Sequence, residues 1–184
     1  DPDSMKKNFS NEGGPRFTFR WQKNIMGLWM LQSARKELGL DFAEAEALAR
    51  KNACGARVDC NDEIFLAPES MCAAVRERAG QLSDGQLLYC IYASLADCYR
   101  GALGAMEEKL GRKFQTLNVI GGGSKDKFLN ELTAKAAGVR VVAGPAEATA
   151  IGNLMVQMIA GGAIKNIGEG REIVKNSFPL RSFE

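Results

Sequence analysis

The sequence predicts a helix-rich α/β domain. Strand-like and helix-like segments alternate between residues 115 and 159, a pattern typical of α/β folds. Apolar residues recur every three or four positions between residues 84 and 110, which predicts one long helix. The chain has 184 residues, of which 46% are hydrophobic and 25% are charged, as in an ordinary soluble domain. We therefore expect one domain, or one large part of a longer protein.

The first half of the chain predicts mainly helices. Large apolar and polar residues alternate from Arg16 to Gln22, which is the period of a half-buried strand. Gly39 stands where a left-handed residue would end the helix that follows. In order, we predict a strand at 16–22, helices at 24–38 and 42–51, a loop or short strand at 53–68 that carries residues 64–66, and a helix at 70–79.

The second half predicts the long helix at 84–110 and then the alternation. The uncharged stretch at 148–164 falls short of the ~20 residues that a bilayer requires, so we predict a buried helix and no membrane span. The remaining elements are strands at 115–120 and 139–142, helices at 124–137, 146–159 and 168–174, and an irregular tail at 176–184.

Charge and composition exclude several classes of function. Lys and Arg number 24 against 22 Asp and Glu, so the net charge of +2 gives no sign of a nucleic-acid or membrane-surface binder. The chain has no His, which removes His-dependent triads and most zinc catalysis.

The cysteines predict a reduced, cytoplasmic protein. They are five in number and include no CxxC pair, so they support neither a zinc ribbon nor a thioredoxin site. A bridge between Cys54 and Cys72 remains open, because spacing alone does not show that their Cα atoms come close enough.

A glycine cluster is the sharpest local feature of the sequence. The strand-like residues 116–120 run into Gly121, Gly122 and Gly123, and a helix-like run follows directly. Glycines let a ligand approach the backbone, and a helix N-terminus offers free N–H groups to phosphate, so this geometry suits a nucleotide. The string fits neither a Walker A loop nor GxGxxG, since Asp126 stands at the last glycine position. Taken alone, the triplet favours a simple tight turn.

A second feature is the small-residue stretch at 144–153. Pro145 suits the first turn of a helix, and Glu147 complements the helix dipole. Gly152 inside a helix suggests a close approach of another backbone or of a ligand. Taken alone, the stretch favours ordinary helix packing.

Taken together in order and spacing, three segments resemble the C-terminal pattern of the FGGY carbohydrate kinases. They are IGGGSKDKFLN at 120–130, GVRVV at 138–142 and GPAEATAIGN at 144–153. Within that family, three further segments resemble those of the kinases that act on L-rhamnulose. They are NEGG at 11–14, KNIMGLW with LQ at 23–32, and ND, F and PE at 61–69. The tail at 171–184 is also similar.

The resemblance implies an actin-like ATPase fold, also called ribonuclease H-like, in which two α/β domains enclose the nucleotide. It implies transfer of the γ-phosphoryl group from Mg-ATP to L-rhamnulose in L-rhamnose catabolism. Residues 1–184 would form most of the C-terminal, nucleotide-binding domain. The N-terminal sugar-binding domain, a phosphate loop and the general-base Asp would precede them, so we expect no catalytic residue and no turnover in this chain alone.

The resemblance also assigns the site residues. Gly122 would contact the ATP phosphates or ribose, with Gly121 and Gly123 shaping the turn, and Gln32 would reach the nucleotide. Asn24 would face the sugar, and it shares a helical face with Gln32 if the helix runs through both. Asp126 replaces the Asn that the family usually places near adenine, and an ionised carboxylate only accepts hydrogen bonds. No metal ligand is assigned.

Other interpretations stay open. A sister kinase for fuculose or xylulose, or a non-catalytic actin-like module that binds nucleotide or a partner protein, would share these segments. The expected partners are ATP and a ketose, without nucleic acid or membrane. The apolar group of Phe17, Phe19 and Trp21 adds self-association as a hypothesis.

Overall fold

Seven helices and two small sheets make up the part of the chain that the structure describes. The structure, a computed structural model, describes residues 5, 6, 8–14 and 18–184, with the side chain of Trp21 left out. The first half contains β1 (Phe9–Gly13), β2 (Phe19–Lys23), α1 (Trp29–Glu37), α2 (Phe42–Lys51), a 3-10 turn (Glu63–Phe65), α3 (Met71–Ala79) and α4 (Asp84–Leu110). The second half contains β3 (Thr116–Val119), a 3-10 turn (Gly121–Lys125), α5 (Lys127–Ala137), β4 (Arg140–Ala143), α6 (Ala148–Ala160), α7 (Ile167–Ser177) and β5 (Arg181–Phe183).

The long helix α4 lies at the centre of the core. Helices α1, α2, α3 and α5 all pack against it. Its side chains Leu87, Ile91 and Leu95 are fully buried, as the apolar stripe in the sequence predicts, and Leu88 is fully buried beside them. Each such side chain stabilises the fold by about 1.5–3 kcal/mol through apolar burial.

Polar side chains cap the helices around this core. Asp41 and Glu44 form a capping box at the start of α2, with backbone-to-carboxylate distances of 2.8 and 2.9 Å. Glu37, at the end of α1, accepts hydrogen bonds from the amides of Met71 and Cys72 and from the Ser70 hydroxyl at the start of α3. Burial opposes ionisation of Glu37, but these hydrogen bonds prevail and lower its pKa. The carboxylate thus fastens α1 to α3.

The sheets place the glycine turn at the end of a strand. Strands β1 and β2 form an antiparallel hairpin. Strand β3 pairs in parallel with β4, and β4 pairs antiparallel with β5. The prediction of an irregular tail at 176–184 is wrong, because residues 181–183 complete this sheet. A strand of three residues is too short to show a clear alternation of apolar and polar residues in the sequence.

Two predicted elements of the first half also differ from the structure. The helix predicted at 24–38 begins only at Trp29, because Asn24 joins Asn8 through two hydrogen bonds and the amide of Met26 donates to Asn61 Oδ1 at 3.0 Å. The residues around Ile64 form a 3-10 turn that Asp62 caps, so of the two predicted alternatives, a loop or a short strand, the strand does not form.

The prediction that residues 148–164 form a buried helix is wrong. No residue of α6 is buried, and the side chains of Leu154 and Val156 are 56% and 49% exposed. The helix begins at Ala148, after a cis Gly144–Pro145 bond, so Pro145 does not occupy its first turn. Within the described residues, no helix is both long and apolar enough to span a bilayer.

The five cysteines are free thiols, so Cys54 and Cys72 form no bridge in the structure. Burial raises the pKa of the Cys60 and Cys72 thiols to about 12, which makes both unreactive. Of the apolar group at the start of the chain, Phe19 is 78% exposed, while Phe17 lies outside the described residues. Self-association through that group stays a prediction.

Candidate functional site

The glycine turn after β3 is held in one conformation by buried polar side chains. Gly121 has a φ of +71°, which only glycine adopts without strain. The Ser124 hydroxyl donates to the carbonyl of Gly121 at 2.7 Å, and the Asn130 amide donates to the carbonyl of Gly123 at 3.0 Å. Gly122 therefore sits in a fixed turn, with open space where a Cβ atom would lie.

Asp126 begins the helix that follows the turn. Its Oδ1 accepts from the amide of Leu129 at 2.9 Å, as an N-cap does, and its Oδ2 accepts from the Tyr92 hydroxyl at 3.1 Å. Burial raises the pKa of Asp126, and these two hydrogen bonds only partly oppose that effect. The side chain thus has a structural role whatever else it contacts.

A cavity of about 440 Å³ brings Gln32, Gly122 and Asp126 together. Its volume lies within the range of about 300–1,000 Å³ that small-molecule sites occupy. Helices α1 and α2 form one side of it, and the glycine turn forms the other. We call it the base cavity; its lining residues are Leu28, Gln32, Phe42, Ala43, Glu46, Gly122, Lys125 and Asp126.

A second cavity, of about 530 Å³, lies beside the first and shares Leu28, Gln32 and Gly122 with it. Gly123 also lines it, and β3 and the C-terminal half of α4 supply most of its apolar walls. Gln32 and Gly122 therefore stand between two cavities, so one extended ligand can contact both.

A third cavity, of about 320 Å³, joins the glycine turn to the segment before α6. Ser124 and Lys125 line it together with Pro145 and Glu147. Pro145 and Gly122 do not line the same cavity. Lys125 connects them, since it also lines the base cavity.

Two expected site residues lie apart from this cluster. Asn24 is exposed and precedes α1, so it does not share a helical face with Gln32; its neighbours Lys23 and Ile25 line the second cavity. Gly121 shapes the turn but does not line any of these three cavities.

The sequence reasoning missed four residues of the base cavity and its support. Phe42 and Glu46 come from α2, which offers only an alanine- and glutamate-rich helical pattern. Tyr92 has the spacing of one more core residue of α4, although its hydroxyl fixes Asp126. Of these four residues, only Lys125 could have been identified from the sequence, because it lies close to the glycine triplet along the chain.

The charges around the base cavity are paired on its outer side. Arg50 donates to Glu46 Oε1 through its Nε at 2.8 Å, and its Nη1 lies 2.8 Å from Glu131 Oε2. The same guanidinium lies over the Phe128 ring, 4.2 Å from its centroid. Burial lowers the pKa of Arg50, but these carboxylates prevail and raise it. Among the described residues, no group of three or more acidic or cysteine side chains is placed to hold a metal ion.

Comparison with known proteins places this sequence in a family. The model of the FGGY family of carbohydrate kinases, C-terminal domain, matches residues 2–161. Curated relatives include the rhamnulokinases of Lactiplantibacillus plantarum and Oceanobacillus iheyensis, each 40% identical over 98% of this chain, and that of Bacillus subtilis, 37% identical over 98%. The chain spans about two fifths of their length, 39%, 40% and 39% respectively. Among solved structures, the xylulose kinase from Bifidobacterium adolescentis is similar with a TM-score of 0.49 and 18% identity, over 73% of this chain and 28% of that chain.

Proposed function

Because the chain belongs to the FGGY family of carbohydrate kinases, we propose that it forms the nucleotide-binding part of an ATP-dependent kinase that phosphorylates L-rhamnulose. The family supplies the class of reaction, phosphoryl transfer from ATP to a sugar. The curated relatives that support L-rhamnulose are named rhamnulokinases and match nearly all of this chain. In this proposal the protein works in the cytoplasm, in L-rhamnose catabolism.

The observation that carries the proposal is the convergence of Gln32, Gly122 and Asp126 on the base cavity. Apolar side chains of Leu28 and Phe42 suit the faces of a purine, and the Gln32 amide and the acidic side chains suit its polar edge. The neighbouring second cavity, reached past Gly122, has room for the ribose and phosphates. Gly123 and Gly121 then serve the site by shaping the turn.

The sugar and the catalytic step depend on residues outside this chain. We propose that Asn24, exposed beside the second cavity, faces the sugar. Among the described residues, no carboxylate cluster is placed to hold Mg²⁺. We propose that the phosphates of the bound nucleotide hold the ion. Phosphoryl transfer needs all of these parts in position at once, so the 184-residue chain should bind nucleotide without turning it over.

Titration calorimetry of ADP against the 184-residue chain tests the nucleotide site. Gly122→Leu adds a large side chain at a residue that lines both cavities and should weaken ADP binding at least about tenfold. Gly101→Leu is the matched control, because Gly101 is an exposed glycine of α4 that also has open space at its Cβ position and lines none of the three cavities. Absence of ADP binding to the unmodified chain, or equal binding by the two variants, would contradict the assignment.

The sugar is tested in a chimera that places this chain in the matching segment of the Bacillus subtilis rhamnulokinase. A coupled ADP-release assay should show turnover with L-rhamnulose and less with fuculose or xylulose. The isolated chain should show no sugar-dependent turnover. A chimera that prefers fuculose or xylulose would argue against the sugar, and turnover by the isolated chain would argue against the division of the site.

A further inference from the structure

Glu46 is the residue of the base cavity to which neither the glycine turn nor the sequence pattern assigns a role. It lies on α2 and lines the cavity together with Gly122 and Asp126. Its Oε1 accepts from Arg50 Nε at 2.8 Å. Within the described part of the chain, its Oε2 has no hydrogen-bond partner. One carboxylate oxygen is therefore occupied and the other is available to a ligand.

A chain of contacts holds Glu46 and Asp126 relative to each other. Arg50 binds Glu46 and stacks on the Phe128 ring. That ring packs on the Tyr92 ring, with the two centroids 4.9 Å apart. The Tyr92 hydroxyl in turn donates to Asp126. Tyr92 and Phe128 are buried in the core. The two acidic side chains are thus positioned by the same packed framework, and neither needs to reorganise when a ligand enters.

The chemistry of this wall favours a ligand edge that donates hydrogen bonds. Ionised carboxylates accept but do not donate. An adenine base carries an amine at its 6-position, which donates. Hypoxanthine carries an oxygen at the same position, which would face a carboxylate oxygen with lone pairs on both sides. An oxygen there costs the site a hydrogen bond and leaves two buried acceptors in contact.

We propose that Glu46 accepts a hydrogen bond from the 6-amine of the bound purine and thereby selects adenine over hypoxanthine. The inference rests on the proposed nucleotide site and adds its base-recognising residue. Asp126 supports the same edge of the base, while Arg50 positions Glu46 without contacting the nucleotide.

The experiment compares ADP with inosine diphosphate on the 184-residue chain by titration calorimetry. Hydrogen bonds to charged groups lead us to expect that ADP binds at least about tenfold more tightly than inosine diphosphate. Glu46→Gln should reduce that ratio to within about threefold, because an amide can accept from an amine and can also donate to an oxygen. The variant should bind inosine diphosphate more tightly than the unmodified chain does.

Glu131→Gln is the matched comparison, because it removes the other carboxylate of Arg50 and does not line the base cavity. It should keep the ratio of the two affinities even if both fall. Thermal unfolding by circular dichroism establishes that both variants are folded.

Every other outcome contradicts a specific part of the proposal. If the unmodified chain binds neither nucleotide, the proposed function fails and this inference fails with it. If both nucleotides bind equally, the nucleotide site stands and the recognition of the base by Glu46 is wrong. If the ratio survives Glu46→Gln, or if Glu131→Gln reduces it as much, Glu46 does not contact the base.

Discussion

Helices α4 and α6 both carry many apolar residues, and their environments are opposite. Most residues of α4 between Gly85 and Ala96 are buried, whereas α6 buries none. Helix α4 is surrounded by four other helices, while α6 packs against α7 near the end of the chain. An apolar helix needs a second surface to be buried, and its own sequence cannot show whether the chain supplies one. The described residues supply that surface for α4 and not for α6.

Both helices carry apolar residues on every side. In α4 the buried residues run without a gap from Cys90 to Ala96, so the surrounding helices cover this part of it all round. In α6, apolar residues run around the helix, interrupted by Thr149, Asn153 and Gln157. An all-round apolar helix is expected inside a large core. The base cavity belongs to the region around α4, because elements packed around that helix line it and α6 does not.

Truncation of one apolar side chain in each helix should give the largest contrast. Ile91→Ala removes a fully buried side chain and should cost about 2–5 kcal/mol of unfolding free energy, because a cavity remains in a packed core. Leu154→Ala removes a side chain that is 56% exposed and should change stability by no more than about 0.5 kcal/mol. Urea unfolding followed by circular dichroism measures both.

A large loss from Leu154→Ala would break the comparison, since it would mean that α6 is buried in solution. Sedimentation at several concentrations would then show whether another copy of the chain covers it.

The carboxylate of Glu37 should give a smaller effect, and one that depends on pH. Glu37→Gln weakens the hydrogen bonds that fasten α1 to α3 and should cost about 1 kcal/mol at pH 7, since the group is largely exposed. The folded-state pKa of Glu37 lies below its ordinary 4.5. Its contribution is therefore complete above pH 4.5 and is lost as pH falls through the folded-state value.

Unfolding free energies measured between about pH 3 and pH 7 check this dependence. The difference between the two proteins should shrink with acidification. Glu108→Gln, an exposed change on α4, is the control and should leave stability close to that of the unmodified chain at every pH. A difference that grows toward low pH would mean that Glu37 is not stabilised as an anion.

The sequence predicted the fold class correctly, because that depends on local patterns and on the order of recognisable segments. The helix-rich α/β architecture agrees with the elements observed, and the family match confirms a C-terminal domain of the FGGY family of carbohydrate kinases. The bounds of α2 and α4 were predicted to the residue, since an alanine- and glutamate-rich run marks α2 and a regular recurrence of apolar residues marks α4. The start of α1 was wrong, because the contacts that occupy the backbone before Trp29 come from Asn8 and Asn61, which are distant in sequence.

The site was predictable only in the segments that resemble the family. Gln32, Gly122 and Asp126 were selected from the sequence, and their convergence on one cavity depends on the packing of α1 against the glycine turn. Glu46 could not be selected, because nothing in the alanine- and glutamate-rich sequence of α2 separates a cavity-lining carboxylate from a solvated one. Its role becomes visible only once Arg50 and the second cavity wall are in place.

Two glycines, one in α6 and one in α7, allow the packing of this end of the chain to be compared by adding a single methyl group. Gly152 lies within α6, and a Cβ atom there would meet nothing within 4 Å. Gly170 lies within α7, and a Cβ atom there would come within 2.8 Å of Met155 Sδ and 3.2 Å of Ile164 Cδ1. The two positions therefore differ in packing although both are helical.

Alanine at these two positions should give the smallest effects. Alanine is favoured over glycine inside a helix, so Gly152→Ala should stabilise the chain by about 0.5–1 kcal/mol. Gly170→Ala gains the same preference but must displace Met155 and Ile164, so its net effect should be zero or a loss of about 1 kcal/mol. Urea unfolding of the two single variants and of the double variant measures both. Equal stabilisation by the two would mean that α6 and α7 are not packed together at Gly170.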